Sequence, residues 1–292
     1  MTPLRRRMIE DMEIRNLADN TQRSYLQQVS SFAKYFQRSP ELLGPDDIRA
    51  YQVHITTERK LAPGSLSIIA AALRFLYKVT LRCEWVDAEI PLPKAPFKLP
   101  VILSREEVAH FLESIGSLKH RTILMTAYAA GLRVSEATRL KITDIDSQRM
   151  MIRVAQGKGA KDRYVMLSPQ LLECLRAYWK AAHPREWLFP GDSPGRPISR
   201  HAVEQACQKA HRVSGIKKPI TPHSLRHGFA AHLLESGTDV RKIQLLMGHR
   251  SLSTTARYLK VATTTVCATT SPFDLLPRPG PIEPPPTPPT YF

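Results

Sequence analysis

The chain has 292 residues, enough for two domains that each bury a core of their own. Apolar residues make up 42% of it, a globular share, and no apolar run is long enough for a membrane-spanning helix. The net charge is +16, with 13 basic and 11 acidic groups in residues 1–92 but 28 and 13 in residues 93–265. Charge this concentrated favours a polyanionic partner, above all nucleic acid, although it would also serve solubility or non-specific attraction alone.

The four cysteines lie far apart in the sequence and form no CxxC pair. This spacing favours reduced thiols with packing roles, and it predicts neither a disulfide framework nor a cysteine-based metal site. The basic residues 5–7 are not followed by the apolar segment of a secretory signal. We therefore expect a cytoplasmic protein.

Three amphipathic helices are predicted in the first 92 residues. The first begins at Asp19 or the next residue, the second at Pro45, and the third at Pro63 or two residues later. In each, apolar side chains recur every third or fourth residue. Such stripes predict the core of a small helical bundle rather than a cofactor pocket.

Prolines mark two boundaries. Four of them fall within residues 90–100, where they permit neither a regular helix nor a central strand. Nine more follow Thr269 and predict a solvated or partner-bound tail. The chain is thereby divided into a helical domain, a linker, a second domain and a tail, at residues 1–92, 93–102, 103–265 and 266–292.

The second domain mixes helical and strand patterns. It opens with a capping box made of Ser104 and Glu107. Residues 151–154 and 164–167 are short β-branched or aromatic runs that flank the segment Q-G-K-G-A-K-D, which predicts a β-hairpin with a basic, glycine-rich tip. Helical periodicity then returns. We expect a mainly α chain with a small β-hairpin or sheet, its second domain being α+β.

Five short segments of this domain contain side chains suited to phosphate chemistry. Arg133 and Glu136 lie three residues apart and share a helix face, although such a pair alone is most often a surface ion pair. Lys158 lies between two glycines at the hairpin tip, where the backbone can approach a phosphate. A basic glycine turn by itself is often only a solvated loop.

The other three segments lie between residues 221 and 258. His223 and Arg226 are three residues apart on a helix that begins with a Thr-Pro pair. A glycine ends the next helix just before His249, and Tyr258 follows nine residues later, beyond a Ser/Thr-rich turn at residues 251–255. Most tyrosines serve only in packing, so Tyr258 is a candidate nucleophile because of the Arg and His segments that accompany it in the sequence.

His223 and His227 also have the four-residue spacing that zinc-binding helices use. This segment lacks the glutamate of an HExxH site and any cysteine cluster, so we predict no metal and no other cofactor. A tyrosine backed by arginines and histidines suits attack on a phosphate, because a guanidinium matches two phosphate oxygens and stays ionised. The set predicts phosphoryl transfer through a covalent phosphotyrosine.

Together these segments resemble the tyrosine recombinase, or phage integrase, family, including its Xer-type and integron-type integrases. The match is an arginine with a glutamate three residues later, a lysine 25 residues on, then H-x-x-R, G-H and the tyrosine. Two longer motifs match the family as well, L-R-H-x-x-A-x-x-L-L-x-x-G and I-Q-x-L-x-G-H. The likeness extends to about residue 262. Met247, where leucine is common, and the proline-rich tail depart from the family without touching its catalytic positions.

The resemblance implies a SAM-like, helical core-binding domain followed by the family's catalytic domain, the two forming a C-shaped clamp. It implies a site-specific recombinase or integrase of a mobile element that cuts and rejoins double-stranded DNA through a 3′-phosphotyrosine, without metal or ATP. The implied assembly is a homo-tetramer, or a hetero-tetramer with a second recombinase, on two DNA sites and away from membranes. The implied catalytic residues are Arg133, Lys158, His223, Arg226, His249 and Tyr258, with Glu136 in support.

The resemblance also implies a role for each of these residues. The two arginines would clamp the scissile phosphate while Tyr258 attacks it. Lys158 would be the general acid for the leaving oxygen, His223 would assist proton transfer from Tyr258, and His249 would bond the phosphate.

Two other functions remain open. A type IB topoisomerase uses a similar set of side chains but only relaxes supercoils. A catalytically silent relative would bind DNA without cutting it, which the six filled catalytic positions argue against. A phosphatase or kinase is disfavoured, because the sequence has no P-loop, no metal-binding acid set and no Cys-x₅-Arg motif.

Overall fold

The computed structural model describes residues 1–93, 99–155, 162–249 and 251–260. The chain divides into two units, Met1–Lys98 and Leu99–Phe292, each with an apolar core of its own. The division falls within the proline-rich stretch. No helix in the described ranges is long and apolar enough to cross a bilayer.

The described part of the first unit is helical throughout. Its α-helices are α1 Pro3–Ile14, α2 Asp19–Phe36, α3 Pro45–Val53, α4 Pro63–Arg74 and α5 Val86–Glu89. Two π-helical segments, His54–Glu58 and Phe75–Thr80, continue α3 and α4, and a 3₁₀ turn spans Pro40–Leu42. The three helices predicted from the sequence are α2, α3 and α4, so those predictions are confirmed.

An aromatic cluster forms the centre of this unit. The fully buried ring of Phe32 makes edge-on contacts with Tyr51 and Tyr77, at centroid distances of 5.0 and 6.4 Å. The Tyr77 hydroxyl donates to the Pro40 carbonyl at 2.8 Å, so its one buried donor is satisfied. These rings join α2, α3 and the π-helical end of α4.

The second unit combines eight α-helices with one small sheet in its described part. The helices are α6 Arg105–Glu113, α7 Leu118–Ala129, α8 Val134–Ala137, α9 Pro169–Ala182, α10 Arg200–Ser214, α11 Pro222–Glu235, α12 Val240–Met247 and α13 Leu252–Ala256. The strands are β1 Ile145–Asp146, β2 Met151–Val154 and β3 Arg163–Met166. A 3₁₀ turn at Ile142–Asp144 precedes β1, and another at Arg257–Lys260 follows α13.

The sheet confirms the predicted hairpin and adds a strand to it. The order is β1-β2-β3, antiparallel throughout, with Ile152 opposite Val165 and Arg153 opposite Tyr164. Ile152 and Val165 are buried, whereas Arg153 and Tyr164 face solvent. The hairpin tip, residues 156–161 with Lys158, lies outside the described residues.

The structure corrects one element near Tyr258. The stretch 251–255, predicted as a turn, is mostly the short helix α13, for which the Ser251 side chain accepts a bond from the Ser253 amide. Its Thr255 is fully buried and bonded to His249. These contacts with the rest of the unit outweigh the weak helix propensity of serine and threonine.

Helix α11 is the buried helix of the second unit, with nine of its 14 residues shielded from solvent. Its Phe229 packs directly against Gly131, in the loop before α8. Gly131 has φ +60°, and a Cβ there would lie 2.4 Å from the Phe229 ring, so only glycine fits. This close approach holds the loop that leads to Arg133 against α11.

Candidate active site

A buried carboxylate lies at the centre of the site. Glu136, on α8, bonds Arg133 Nη1 at 2.7 Å and takes a two-pronged contact from Arg163, at 2.9 and 2.8 Å. Arg226 Nη1 lies 3.7 Å from its Oε2. Burial raises the pKa of this carboxyl, but the Arg163 hydrogen bonds and the charges of Arg163 and Arg133 outweigh burial and bring the pKa down to about 2. Glu136 is therefore ionised, and it is not the surface ion-pair partner that its spacing alone suggested.

Arg226 joins three segments of the unit. It projects from α11 with 3% of its surface exposed and donates to the carbonyls of Gly131 and Met247. Burial, followed by the charge of Arg133, lowers its pKa to about 9, so the guanidinium stays protonated at neutral pH. Its position is fixed from both sides, by the loop before α8 and by the end of α12.

Arg163 was missed in the sequence analysis. Beyond its fork on Glu136, its Nε donates to the Leu246 carbonyl at 2.9 Å. Gly248, at φ +59°, packs on it so closely that a Cβ would lie 3.2 Å from the Arg163 side chain. A signal did exist: strand alternation puts Arg163 on the same face as buried Val165, an unusual place for an arginine.

His249 follows Gly248 and is held by α13. Its Nδ1 and the Thr255 hydroxyl are 2.8 Å apart, which fixes the ring's orientation. Burial and the charges of Arg226 and Arg133 lower its pKa to about 3, so the imidazole is neutral at physiological pH. Arg133 Nη2 lies 3.4 Å from the Gly248 carbonyl, which puts the arginine next to this histidine in the structure.

Tyr258 lies in the 3₁₀ turn after α13 and is only 2% exposed. Its ring belongs to a small apolar cluster with Phe229, Ile243 and Met247. Burial raises the pKa of the phenol, while the charges of Arg226, Arg257 and Arg133 act in the opposite direction. The phenol thus lies within the electrostatic reach of both arginines that were predicted to hold a phosphate.

A histidine other than the predicted one contacts the phenol. The Tyr258 hydroxyl lies 2.8 Å from Nδ1 of His227, its hydrogen-bond partner among the described residues. His223 is exposed on the first turn of α11, and its ring meets that of His227 edge-on at 5.4 Å between centroids. In the sequence, the spacing of His227 from His223 suggested only a zinc ligand, although His227 directly follows Arg226.

The predicted set is therefore brought together in large part. Arg133, Glu136, Arg226, His249 and Tyr258 converge around the ends of α8, α12 and α13 and the middle of α11. His223 stands at the exposed edge of this group. Lys158 lies outside the described residues. The convergence groups charged guanidiniums with neutral imidazoles and one phenol, a set of side chains that suits a phosphodiester.

Comparison with known proteins fits this site. The model of the phage integrase family matches residues 102–265, and that of the phage integrase N-terminal SAM-like domain matches residues 4–87. The chain is 65% identical to the integrase/recombinase y4qK of Sinorhizobium fredii (strain NBRC 101917 / NGR234), over 100% of this chain and 95% of that protein. It is 42% identical to tyrosine recombinase XerA of Thermococcus onnurineus (strain NA1), over 68% of this chain and 71% of the relative.

A solved structure shows the same fold. The XerH site-specific recombinase, crystallised on its difH substrate before cleavage, superposes with a TM-score of 0.69 at 22% identity, covering 90% of this chain and 84% of the other. The predicted mainly helical fold, with a SAM-like domain ahead of a catalytic domain, is confirmed. The chain belongs to the phage integrase family of tyrosine recombinases.

Proposed function

We propose that this chain is a site-specific recombinase that cuts and rejoins double-stranded DNA through a covalent bond between Tyr258 and a 3′-phosphate. The observation that carries the proposal is that Tyr258 packs against the segment of Met247, whose carbonyl accepts from Arg226, while Arg226 and Arg133 both contact Glu136. A nucleophile in such a place meets a substrate phosphate where its extra negative charge is stabilised.

In the proposed mechanism, Arg133 and Arg226 hold the two non-bridging oxygens of the scissile phosphate. Glu136 contacts both guanidinium groups and keeps them fixed before the substrate arrives. Because these groups need not reorganise, their charge acts fully on the transition state. Removal of one such donor typically costs about 10²–10³-fold in rate.

Tyr258 attacks the phosphorus and displaces the 5′-oxygen of the next nucleotide. We assign protonation of that oxygen to Lys158, a role that rests on the family resemblance. His249 bonds a phosphate oxygen, and His223, one turn before Arg226 on α11, stands at the exposed edge of the site, where it is also available to the phosphate. The phosphotyrosine conserves the energy of the broken linkage, so another 5′-hydroxyl reverses the step without ATP and, in this scheme, without a metal.

The proposed partner is double-stranded DNA. The XerH structure contains difH, and a lambda integrase dimer with the same fold, at a TM-score of 0.69, is bound to a COC′ core site. The excess of 28 basic over 13 acidic groups in residues 93–265 supports such a partner. We further propose that the chain serves a mobile element, acts in the cytoplasm and assembles as a tetramer on two DNA sites.

Trapping of the covalent adduct tests the proposal. Genomic or plasmid DNA that carries the target site is incubated with the protein, denatured, and assayed for DNA bound to Tyr258, whose sequence identifies the site. Tyr258→Phe should abolish the adduct and preserve DNA binding, and a chelator should have no effect.

Tyr178→Phe is the matched control for this experiment. It removes a buried hydroxyl that has no hydrogen-bond partner among the described residues, so adduct formation should stay normal. An adduct that survives in Tyr258→Phe would overturn the assignment. Relaxation of supercoils without joining of two sites would replace recombinase with topoisomerase.

A further inference from the structure

We infer that His227 is the group that takes the phenolic proton from Tyr258 when the tyrosine attacks DNA, an inference that rests on the proposed function. Nδ1 of His227 lies 2.8 Å from the Tyr258 oxygen, within reach of direct proton transfer. The rings are 5.7 Å apart and inclined at 52°, so the nitrogen meets the hydroxyl without the two rings stacking.

Both partners are held in place by packing. His227 lies on α11 between buried Arg226 and buried Gly228. Tyr258 is fixed by the apolar cluster around Phe229 and Met247. A helix that is itself part of the core thus supplies the phosphate-binding guanidinium and, one residue later, the nitrogen on the nucleophile. Neither group has to be ordered at the moment of reaction.

The protonation state of the ring suits an acceptor. Burial first, then the nearby His223 and the charges of Arg257 and Arg226, lower the pKa of His227 to about 4. At neutral pH the ring is therefore uncharged, and with its proton on Nε2 the Nδ1 lone pair can accept from the phenol. A phosphate held by the arginines brings negative charge close to His227, which favours the imidazolium as it forms.

The other two histidines are less well placed for this step. His249 has its Nδ1 on the Thr255 hydroxyl. His223 is exposed, and the contact of its ring is with His227 rather than with the phenol. Either remains available to a phosphate oxygen, which leaves proton acceptance to His227.

Cleavage forms one bond to phosphorus, breaks another and moves two protons. The Tyr258 oxygen forms a bond to phosphorus, the bond from phosphorus to the 5′-oxygen breaks, and the phenolic proton passes to Nδ1 of His227. The 5′-oxygen leaves with a proton from the general acid, the role proposed for Lys158. On rejoining, the incoming 5′-hydroxyl attacks phosphorus and gives its proton to the general acid, while His227 returns its own to the departing tyrosine oxygen.

Two substitutions separate proton transfer from positioning. His227→Asn keeps a carbonyl oxygen near the place of Nδ1 but cannot take a proton at neutral pH, whereas His227→Ala removes both functions. We expect both variants to slow adduct formation in a single turnover by about 10²–10⁴-fold. DNA affinity and the thermal unfolding temperature of His227→Asn should stay near those of the parent, which shows that the variant is folded.

His183→Asn is the control for the same chemical change. His183 is exposed at the end of α9 with φ +43°, a conformation that asparagine tolerates well, so its adduct rate should equal that of the parent.

A substrate with sulfur in place of the bridging 5′-oxygen identifies which proton is affected. A thiolate leaves without protonation, so this substrate should rescue Lys158→Ala and fail to rescue His227→Asn. Rescue of His227→Asn would assign the residue to the leaving group and overturn the inference. So would a parental rate in His227→Asn, or a faster rate in His227→Ala. If the unaltered protein formed no adduct at all, the proposed function would fall, and this inference with it.

Discussion

Phe32 and Arg226 are both in the middle of a helix and nearly free of solvent contact, yet the two units bury them by different means. Phe32 is surrounded by other rings, and its burial stabilises the first unit through the hydrophobic effect. Arg226 requires two backbone carbonyls and a carboxylate from three separate segments. Buried charge is weak evidence for stability. In the proposed mechanism the second unit keeps this buried charge because the substrate phosphate needs it, and variants at both positions test that distinction.

Phe32→Ala should have the largest effect on stability. Loss of a core phenylalanine typically costs about 3–5 kcal/mol of unfolding free energy, because the cavity is only partly refilled. Urea denaturation, with hydrogen exchange of the α2 amides, measures the loss. Phe32→Leu should lose clearly less, and equal losses in the two variants would contradict a packing explanation.

Arg226→Met should mainly damage the chemistry. We expect adduct formation to fall by about 10²–10³-fold, measured in a single turnover at saturating DNA. Methionine fills much of the volume but leaves two carbonyls without donors, which costs about 1–3 kcal/mol of stability. Arg212→Met, an exposed site on α10, should leave the adduct rate unchanged. A normal rate in Arg226→Met would remove the residue from the site.

Acid should destabilise the second unit through Glu136. Its folded pKa, about 2, lies below that of an unfolded glutamate, so its contribution is fully present above about pH 4.5 and is lost as pH falls toward 2. This difference between the folded and unfolded pKa of Glu136 corresponds to about 3 kcal/mol of unfolding free energy. Unfolding free energies measured across this window should decline for the parent and stay flatter for Glu136→Gln. Tyr77→Phe, a neutral change in the first unit, should alter no slope in the window.

Arg163→Lys should give the smallest effect. A lysine keeps the charge but loses the fork on Glu136, at a cost of about 1.5 kcal/mol in stability, seen by denaturation. Adduct formation should slow less than in Arg226→Met, since the phosphate-binding guanidiniums remain. If Arg163→Lys were the slower of the two, Arg163 would contact the substrate itself.

Local sequence patterns predict some elements of this fold and miss others, for identifiable physical reasons. Helices α2, α3 and α4 were predictable because each has one apolar stripe. Helix α7 is buried on several sides and shows no such periodicity, and β1, with two residues, is too short for alternation. Helix α1 buries only Met8 and Met12, behind a basic run.

The candidate site shows the same contrast between features that local patterns predict and features that only the fold creates. Spacing and family resemblance identified the side chains that converge around Glu136. They could not identify the contact of Arg163 with Glu136, 27 residues away, or that of His227 with Tyr258, 31 residues away, because only the fold makes those residues neighbours. The tip of the hairpin and the proline-rich tail, residues 266–292, lie outside the described residues, so the predictions for Lys158 and for that tail stay predictions.

The seclusion of Tyr258 bears on the fidelity of strand joining. In the proposed mechanism, a phosphate ester formed on this buried tyrosine would be sheltered from hydrolysis by bulk water. A severed duplex held in that way can wait for its new partner without becoming a permanent break. The apolar side chains that pack against the tyrosine ring would then protect the DNA during the interval when its continuity depends on one protein side chain.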